Sequence, residues 1–141
     1  MTTPASAATK SGRPAVLLVD DERPLLGALR EGLESDFAVE TAGTAEEADL
    51  MMASSSYDVL ICDHMLPGEA GLEFLIRMSQ RYPDTRRILL TGYMKPEMLL
   101  RSVNEAALFR YLLKPVSLNE LVKVTQDAAK LYDQTVAAAA N

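Results

Sequence analysis

Five short apolar runs alternate with longer segments of helical spacing along this chain. The runs lie at about 15–19, 37–41, 57–62, 87–91 and 109–113. Most of them contain no polar alternation, which is typical of strands whose two faces are both covered. Because strands that alternate with helices form βαβ units, the pattern favours parallel pairing. The sequence therefore predicts an α/β fold, a doubly wound parallel sheet of five strands with helices on both faces.

The segments between and after these runs predict five helices, at about 22–34, from 44, at 71–80, 96–106 and 117–138. Two of them begin with a capping box, in which a hydroxyl and a later carboxylate each accept a bond from a backbone N–H. The boxes pair Thr44 with Glu47 and Ser117 with Glu120. The last helix is longer than one sheet face needs, and its weak heptad seam leaves two interpretations open. Either its inner half packs and its outer half is solvated, or the helix makes a homodimer contact or begins a signalling helix.

The size of the chain fits one compact domain, since it has 141 residues of which 48% are hydrophobic. We place this domain at residues 14–133. Residues 1–13 are rich in Thr, Ala and Ser and lack the apolar core of a signal peptide, so we expect a disordered leader. We expect residues 134–141 to be an extended end of the last helix or a frayed tail.

The charge of the chain argues against nucleic-acid binding, because a formal net charge of -6 and a pI near 4.8 repel phosphate backbones. No segment approaches the roughly 18 consecutive apolar residues of a membrane span. The single cysteine, Cys62, lies inside an apolar run and is expected to be a small buried hydrophobe. We therefore expect a cytoplasmic protein that binds neither nucleic acid nor membranes directly.

Four of the predicted strands end on polar residues. Asp20 and Asp21 follow the first strand, Asp63 follows the third, Thr91 ends the fourth and Lys114 follows the fifth. In a parallel sheet, ligands bind outside the carboxyl ends of the strands, so these residues are expected to converge at one edge. The sequence thus predicts a cluster of three carboxylates, one hydroxyl and one ammonium.

This set of groups suits a cation and a phosphoryl group. Carboxylate oxygens are the ligands that Mg²⁺ prefers, so we expect Asp20, Asp21 and Asp63 to bind that ion. We interpret Asp63 as a group that attacks phosphorus, which requires positive charge nearby to neutralise the charge that builds up. Lys114 would pair first with the carboxylate and then with the phosphoryl oxygens, and the Thr91 hydroxyl would donate to one of those oxygens.

Each residue taken alone also has a structural interpretation. An aspartate at a strand end often caps the next helix, which applies to Asp20 and Asp21. Asp63 could instead stabilise a turn at Pro67-Gly68. His64, the one histidine of the chain, is interpreted either as a half-buried neighbour or as a titrating group. The joint occurrence of these residue types at four strand ends favours the functional interpretation.

The motifs around these residues resemble the receiver domain of bacterial two-component response regulators. They are Leu18-Val19-Asp20-Asp21-Glu22, Cys62-Asp63-His64-Met65-Leu66-Pro67-Gly68 with Gly71 beyond, Leu90-Thr91-Gly92, and Tyr111-Leu112-Leu113-Lys114-Pro115. The resemblance covers about residues 14–133 and implies a flavodoxin-like fold with strand order 2-1-3-4-5. It implies that Asp63 accepts a phosphoryl group from the phosphohistidine of a histidine kinase or phosphotransfer protein.

The resemblance further implies how the metal is held. Asp21 would bind Mg²⁺ directly, Asp20 would act mainly through water, and Asp63 and the backbone carbonyl of Met65 would complete the protein ligands. Mn²⁺ is a second candidate ion.

The resemblance also implies a switch. Thr91 and Tyr111 would move on phosphorylation and change the face formed by the fourth helix, the fifth strand and the fifth helix, where an unknown output partner binds. Met65 and Tyr93 occupy the positions that would tune the rate of dephosphorylation. The peptide bond before Pro115 would be cis.

Other interpretations remain open beside a receiver that catalyses only its own phosphorylation and dephosphorylation. A phosphatase of the haloacid-dehalogenase type also uses an aspartate with Mg²⁺, Thr and Lys, but it needs a second aspartate where this chain has Met65. An interaction scaffold would keep the fold without accepting phosphate. The chain could also be the receiver part of a larger signalling protein.

Overall fold

A computed structural model describes residues 12–92 and 95–140 of the chain. The strands of its main sheet are β1 Ala15–Val19, β2 Ala38–Ala42, β3 Val59–Asp63, β4 Arg86–Thr91 and β5 Arg110–Leu113. The helices are α1 Arg23–Leu33, α2 Ala45–Ser54, α3 Gly71–Arg81, α4 Pro96–Asn104 and α5 Leu118–Ala140. These bounds differ from the predicted ones by about one or two residues, the usual uncertainty of element ends. The predicted leader lies outside the described residues except for Gly12 and Arg13.

The sheet has the order β2-β1-β3-β4-β5, and every neighbouring pair is parallel. This confirms the predicted fold class and strand order. The order reverses between β1 and β3, which lie side by side at the centre of the sheet. A crevice opens at such a reversal, outside the carboxyl ends of the strands, because the connecting helices leave to opposite faces.

The central strands explain the unbroken apolar runs of the sequence. Every residue of β1 and β3 is buried, since helices cover both faces of the sheet. Alternate side chains enter two separate apolar layers, with Leu17 and Leu60 in one and Leu18 and Ile61 in the other. The edge strands β2 and β5 keep partly exposed residues, because each has a neighbour on one side only.

A two-stranded hairpin between β3 and α3 was not predicted from the sequence. Its strands, Met65–Leu66 and Glu69–Ala70, pair antiparallel around Pro67-Gly68. Gly68 has a φ of +80°, a conformation that favours glycine. Strands of two residues carry no periodicity that a sequence pattern could reveal.

One arginine of α3 holds this hairpin against α2. Arg77 lies 2.7 Å from Glu69 of the hairpin and 3.1 Å from Asp49 of α2 through its guanidinium nitrogens. Both carboxylates accept two hydrogen bonds from it. Planar, charge-assisted bonds of this kind fix geometry as well as adding stability.

The two predicted helix starts are confirmed by their hydrogen bonds. The N–H of Glu47 donates to the Thr44 hydroxyl at 3.1 Å, and that of Glu120 donates to the Ser117 hydroxyl at 3.3 Å. The return bond of the first box differs, because the Glu47 carboxylate accepts from the N–H of Gly43 at 2.8 Å, one residue before the cap.

The long last helix packs along its inner half. Leu121, Thr125 and Ala128 of α5 are fully buried, whereas residues 133–140 are mostly exposed. This arrangement agrees with the first of the two interpretations, and a homodimer contact stays a prediction. Among the described residues, no helix has the length and apolar content to cross a bilayer.

A buried carboxylate, Asp58, lies just before β3, at the amino ends of the strands. Asp58 is only 6% exposed, and its Oδ1 accepts a hydrogen bond from the N–H of Ala15 at 3.3 Å. Burial raises its pKa from 3.8 to about 6, the Ala15 bond opposes this, and the charge of Asp133 on α5 adds to it. The folded protein therefore holds a proton on Asp58 at pH values where the unfolded chain has released it.

Asp58→Asn is expected to stabilise the protein near neutral pH by about 2 kcal/mol. Because the folded pKa lies above the unfolded one, the stability that Asp58 contributes falls as pH rises from about 4 to about 6. An amide still accepts from Ala15 but removes this pH dependence. Urea unfolding at a series of pH values measures both effects, with the exposed Asp84→Asn as control. Equal pH profiles for wild type and Asp58→Asn would contradict the prediction.

Candidate functional site

The polar residues of four strand ends meet at the carboxyl edge of the sheet. Asp63 is the last residue of β3 and Thr91 the last of β4, while Asp20 and Lys114 directly follow β1 and β5. The parallel register brings these ends level, since Val19 pairs with Cys62, Asp63 with Leu90, and Thr91 with Leu113. The structure therefore places these four residues, which come from distant parts of the sequence, at one edge of the sheet.

Three carboxylates form the acidic part of the site. Asp20, Asp21 and Asp63 each place one oxygen within 4.8 Å of the others. Asp20 and Asp63 are 1% and 6% exposed, whereas Asp21 is exposed to solvent. Carboxylate oxygens at such separations, two of them buried, repel one another unless a cation lies among them.

Asp20 provides the observation that most directly favours a cation. Its Oδ1 accepts from the N–H of Glu22 at 2.9 Å, while its Oδ2 is buried without a hydrogen-bond partner among the described residues. Burial raises the pKa of Asp20, the Glu22 bond opposes this, and the charge of Asp63 raises it further. A buried acceptor that lacks a donor costs free energy, which a hard cation or its bound water would recover.

The capping interpretation of the aspartates finds no support in the geometry. The N-cap residue of α1 is Glu22, which makes no side-chain cap hydrogen bond, and Pro24 stands in the first turn. The Asp20 side chain binds the N–H of Glu22 instead, and so orders the two residues before the helix. The other oxygen of the Asp20 carboxylate, Oδ2, takes no part in this bond and lies on the side of Lys114.

Lys114 supplies the positive charge. Its Nζ donates to Oδ1 of Asp63 and lies 3.6 Å from Asp20 Oδ2 and 3.7 Å from Glu22 Oε1. Burial lowers the pKa of Lys114, but the hydrogen bond and charge of Asp63, with the charges of Asp20 and Glu22, outweigh it, so the pKa lies above its usual value. Lys114 therefore stays an ammonium at physiological pH.

The backbone around Lys114 ties this charge to the neighbouring strand. The N–H of Lys114 donates to the carbonyl of Thr91 at 2.8 Å, and the peptide bond between Lys114 and Pro115 is cis. The ammonium is thus positioned by β4 and β5 together.

The loop after Asp63 is built on a close approach of two backbones. The N–H of Met65 donates to Asp63 Oδ2 at 2.9 Å, and the N–H of Gly71 donates to the carbonyl of His64 at 2.8 Å. A Cβ on Gly71 would lie 2.0 Å from the Asp63 carbonyl oxygen. From the sequence Gly71 was predicted as a helix start and as part of a motif, and the residues around it carry no signal of this contact.

The hydroxyl of Thr91 lies beside an imidazole. Thr91 is fully buried, and its Oγ1 is 3.1 Å from Nδ1 of His64. Tyr111 on β5 is 39% exposed and pairs in register with Leu89. Sequence reasoning had no pattern that could link Thr91 to His64, because they are 27 residues apart. Tyr93 lies outside the described residues.

A cleft of about 600 Å³ opens over this edge of the sheet. Its walls include the following side chains: Asp21, Glu22, Asp63, His64, Met65 and Lys114. Met65 reaches outward, with 67% of its surface exposed. Asp63 lines this cleft, where it is 6% exposed.

The sequence of this chain is similar to that of proteins of known family. The family model described as a response regulator receiver domain matches residues 16–126. The hydrogenase transcriptional regulatory protein HoxA of Cupriavidus necator is 36% identical over 115 residues, 82% of this chain and 24% of that protein. The phosphate regulon transcriptional regulatory protein PhoB of Rhizobium meliloti is 36% identical over 113 residues, 77% of this chain and 49% of that protein. The chain thus spans about a quarter of the length of the first relative and about half of the second.

Solved structures agree over most of the chain. The signal receiver domain of an HD domain-containing protein from Pseudomonas fluorescens Pf-5 has a TM-score of 0.82 and 33% identity, covering 87% of this chain and 91% of that one. A CheY-like response regulator receiver domain protein from Methanospirillum hungatei JF-1 has a TM-score of 0.82 and 27% identity, covering 87% of this chain and 98% of that one.

Proposed function

This chain belongs to the response regulator receiver domain family, and from that premise we propose that Asp63 accepts a phosphoryl group from the phosphohistidine of a histidine kinase or phosphotransfer protein. The observation that carries the proposal is the contact of the buried Asp63 carboxylate with Lys114, beside the carboxylates of Asp20 and Asp21. A buried carboxylate that faces a cleft, with a cation on one side and acidic ligands on the other, suits an attacking group.

The proposed reaction uses the residues as follows. A carboxylate oxygen of Asp63 attacks the phosphorus atom, a P–O bond forms, the P–N bond breaks, and the leaving imidazole keeps the electron pair and takes up a proton. Lys114 neutralises charge on Asp63 before the reaction and on the phosphoryl oxygens after it. The N–H of Met65 orients the attacking carboxylate through its bond to Oδ2.

The acidic cluster fits a divalent ion, since its ligand atoms are all oxygens and the buried Oδ2 of Asp20 accepts no hydrogen bond from the described residues. Asp21, Asp63 and the backbone carbonyl of Met65 would hold Mg²⁺ directly, and Asp20 through water, with Mn²⁺ as the second candidate. When bound, the ion neutralises phosphoryl oxygens and so lowers the barrier to the approach of two negative groups.

The proposed output is a change of the surface formed by α4, β5 and α5. Thr91 donates to a phosphoryl oxygen, and Tyr111 moves from its half-exposed position toward the space that Thr91 leaves. This surface carries exposed apolar side chains, among them Leu100, Val103 and Leu113. Exposed apolar side chains of this kind are typical of a surface that binds another protein. The partner would be an output domain or a separate protein, which stays unknown. Met65 and Tyr93 stay the predicted rate-tuning positions.

The domain limits, the location in the cell and the oligomeric state stay predictions. We place the receiver domain at 14–133 with a cytoplasmic location and no direct contact with nucleic acid or membranes. A homodimer through α5 is the alternative use of the exposed outer half of that helix.

Incubation with acetyl phosphate and Mg²⁺ is expected to add one phosphoryl group to the wild-type chain. Asp63→Asn is expected to lower this incorporation by about a hundredfold or more, because an amide oxygen is a poor nucleophile and cannot form the acyl phosphate. Intact-mass spectrometry measures the incorporation, and Asp36→Asn, at an exposed position in the turn before β2, is the matched control. Incorporation that persists in Asp63→Asn contradicts the proposal. A wild-type chain that accepts nothing supports the scaffold interpretation instead.

A further inference from the structure

The hydroxyl group proposed to sense phosphorylation has a partner within the protein. Thr91 Oγ1 and His64 Nδ1 lie 3.1 Å apart, a hydrogen-bond distance, and the threonine is fully buried. His64 is partly buried and lines the cleft beside Asp63. The two residues belong to different elements, so their contact depends on how β4 and the loop after β3 pack together.

The backbone of His64 is held firmly on both sides. Its N–H donates to the carbonyl of Leu90 at 2.9 Å, and its carbonyl accepts from the N–H of Gly71 at 2.8 Å. A Cβ on Gly71 would lie 2.9 Å from the His64 Cα, which leaves the segment no room to retreat toward α3. Since these contacts restrain the backbone, a displacement of the Thr91 hydroxyl toward Asp63 would lengthen its bond to the ring.

We propose that His64 is a positioning residue that holds the Thr91 hydroxyl in the unphosphorylated protein and so sets the equilibrium of the switch. This inference rests on the proposed function, because it requires that Thr91 moves toward a phosphoryl group on Asp63. The phosphoryl oxygens then compete with the imidazole for the hydroxyl. Whichever of the two groups donates, the bond favours the resting position of the Thr91 oxygen.

Linkage gives the size of the effect. A contact that exists only in the resting state shifts the equilibrium toward that state. It lowers the affinity for a phosphoryl group by the same factor. A neutral hydrogen bond of ordinary strength corresponds to about a three- to tenfold change in such an equilibrium. Loss of the imidazole nitrogen should therefore raise the apparent affinity for a phosphoryl mimic by that factor.

The test compares His64→Phe with His64→Asn, using beryllofluoride with Mg²⁺ as the mimic at one fixed pH. Phenylalanine keeps a ring of similar size without a polar atom, whereas asparagine keeps a polar atom near the position of Nδ1. We expect His64→Phe to bind beryllofluoride about three- to tenfold more tightly than wild type and His64→Asn to restore the wild-type affinity. His64→Leu is the second variant if the phenylalanine protein does not fold.

A double-mutant cycle separates the contact from general effects on packing. In a Thr91→Val background, His64→Phe should leave the beryllofluoride affinity unchanged, because its partner is already gone. In the protein without metal or mimic, the methyl resonance of Thr91 should shift in His64→Phe toward its position in the beryllofluoride complex. A structural role of the ring would change stability without this coupling or this shift.

The outcomes distinguish the inference from the function on which it rests. A wild-type chain that neither binds beryllofluoride nor accepts a phosphoryl group on Asp63 contradicts the proposed function. A wild-type chain that does both, with equal affinities for His64→Phe and His64→Asn and no coupling to Thr91→Val, contradicts only the role of His64.

Discussion

Gly71→Ala is expected to lose stability and phosphoryl transfer together. An alanine Cβ at this position would lie 2.0 Å from the carbonyl oxygen of Asp63 and 2.9 Å from its carbonyl carbon. These are backbone atoms of a buried central strand, so no flexible side chain can move aside to relieve the clash. Either β3 or the start of α3 must shift. A shift of β3 displaces Asp63 from Lys114 directly, whereas a shift of α3 disturbs the bond from the N–H of Gly71 to the carbonyl of His64, the residue next to Asp63.

We expect Gly71→Ala to reduce the free energy of unfolding by about 3 kcal/mol, at the upper end of ordinary overpacking effects. Phosphoryl incorporation should fall by about a hundredfold, since a misplacement of about 1 Å in a reacting group has effects of that order. Urea unfolding and the acetyl phosphate assay measure the two changes.

The matched control is Gly27→Ala. Gly27 lies within α1, and a Cβ there would have nothing within 4 Å. In a helix interior, alanine is favoured over glycine by about 0.5 to 1 kcal/mol, so this variant should be slightly more stable than wild type. If Gly71→Ala unfolds at the same urea concentration as Gly27→Ala, the two backbones do not approach as closely as described.

Asp20→Asn is expected to separate the stability of the site from its capacity to bind metal. Asp20 is 1% exposed, its Oδ2 has no hydrogen-bond partner among the described residues, and burial raises its pKa. Removing this charge relieves both desolvation and repulsion by Asp63. It also removes the attraction of the Lys114 ammonium, 3.6 Å from Oδ2, but Lys114 keeps its closer partner Asp63. We expect the metal-free variant to be more stable than wild type, because the amide is buried at a lower cost than the carboxylate.

The same substitution should weaken Mg²⁺ binding by about ten- to a hundredfold, the usual effect of losing a charged group that acts on a metal through water. Wild type should gain about 2.7 kcal/mol of stability at a Mg²⁺ concentration a hundred times its dissociation constant. Urea unfolding with a chelator and with Mg²⁺ measures both effects, and Asp36→Asn is the control. The prediction is wrong if Asp20→Asn is the less stable protein without metal, or if wild type gains nothing from Mg²⁺.

Asp20 and Gly71 differ in how much of their role could be predicted from the sequence. Asp20 was identified from its place after an apolar run, because a strand of a parallel sheet delivers whatever follows it to one edge. Gly71 was read as a helix start, and nothing in its neighbours along the chain marks the carbonyl oxygen that it must avoid. The predicted family and fold are confirmed, while the roles of the site residues stay predictions that these experiments address.

The elements that were predicted well share a local cause. The strands β1, β3 and β4 were visible because burial on both faces requires an unbroken apolar run, and the two helix starts because the capping groups lie three residues apart. The hairpin at Met65–Leu66 and Glu69–Ala70 was missed, since its short strands are held by pairing and by Arg77 from another helix.

The sequence by itself determined which residues would arrive at the carboxyl edge of the sheet, because hydrophobic periodicity defines each strand and a parallel sheet aligns the strand ends. Only the tertiary structure decided how those residues meet. The bond of Lys114 to Asp63, the approach of Lys114 to Asp20, and the contact of His64 with Thr91 all join segments far apart in the chain. Such contacts depend on distances of a few ångströms between packed elements, and a one-dimensional pattern of residue types does not contain those distances.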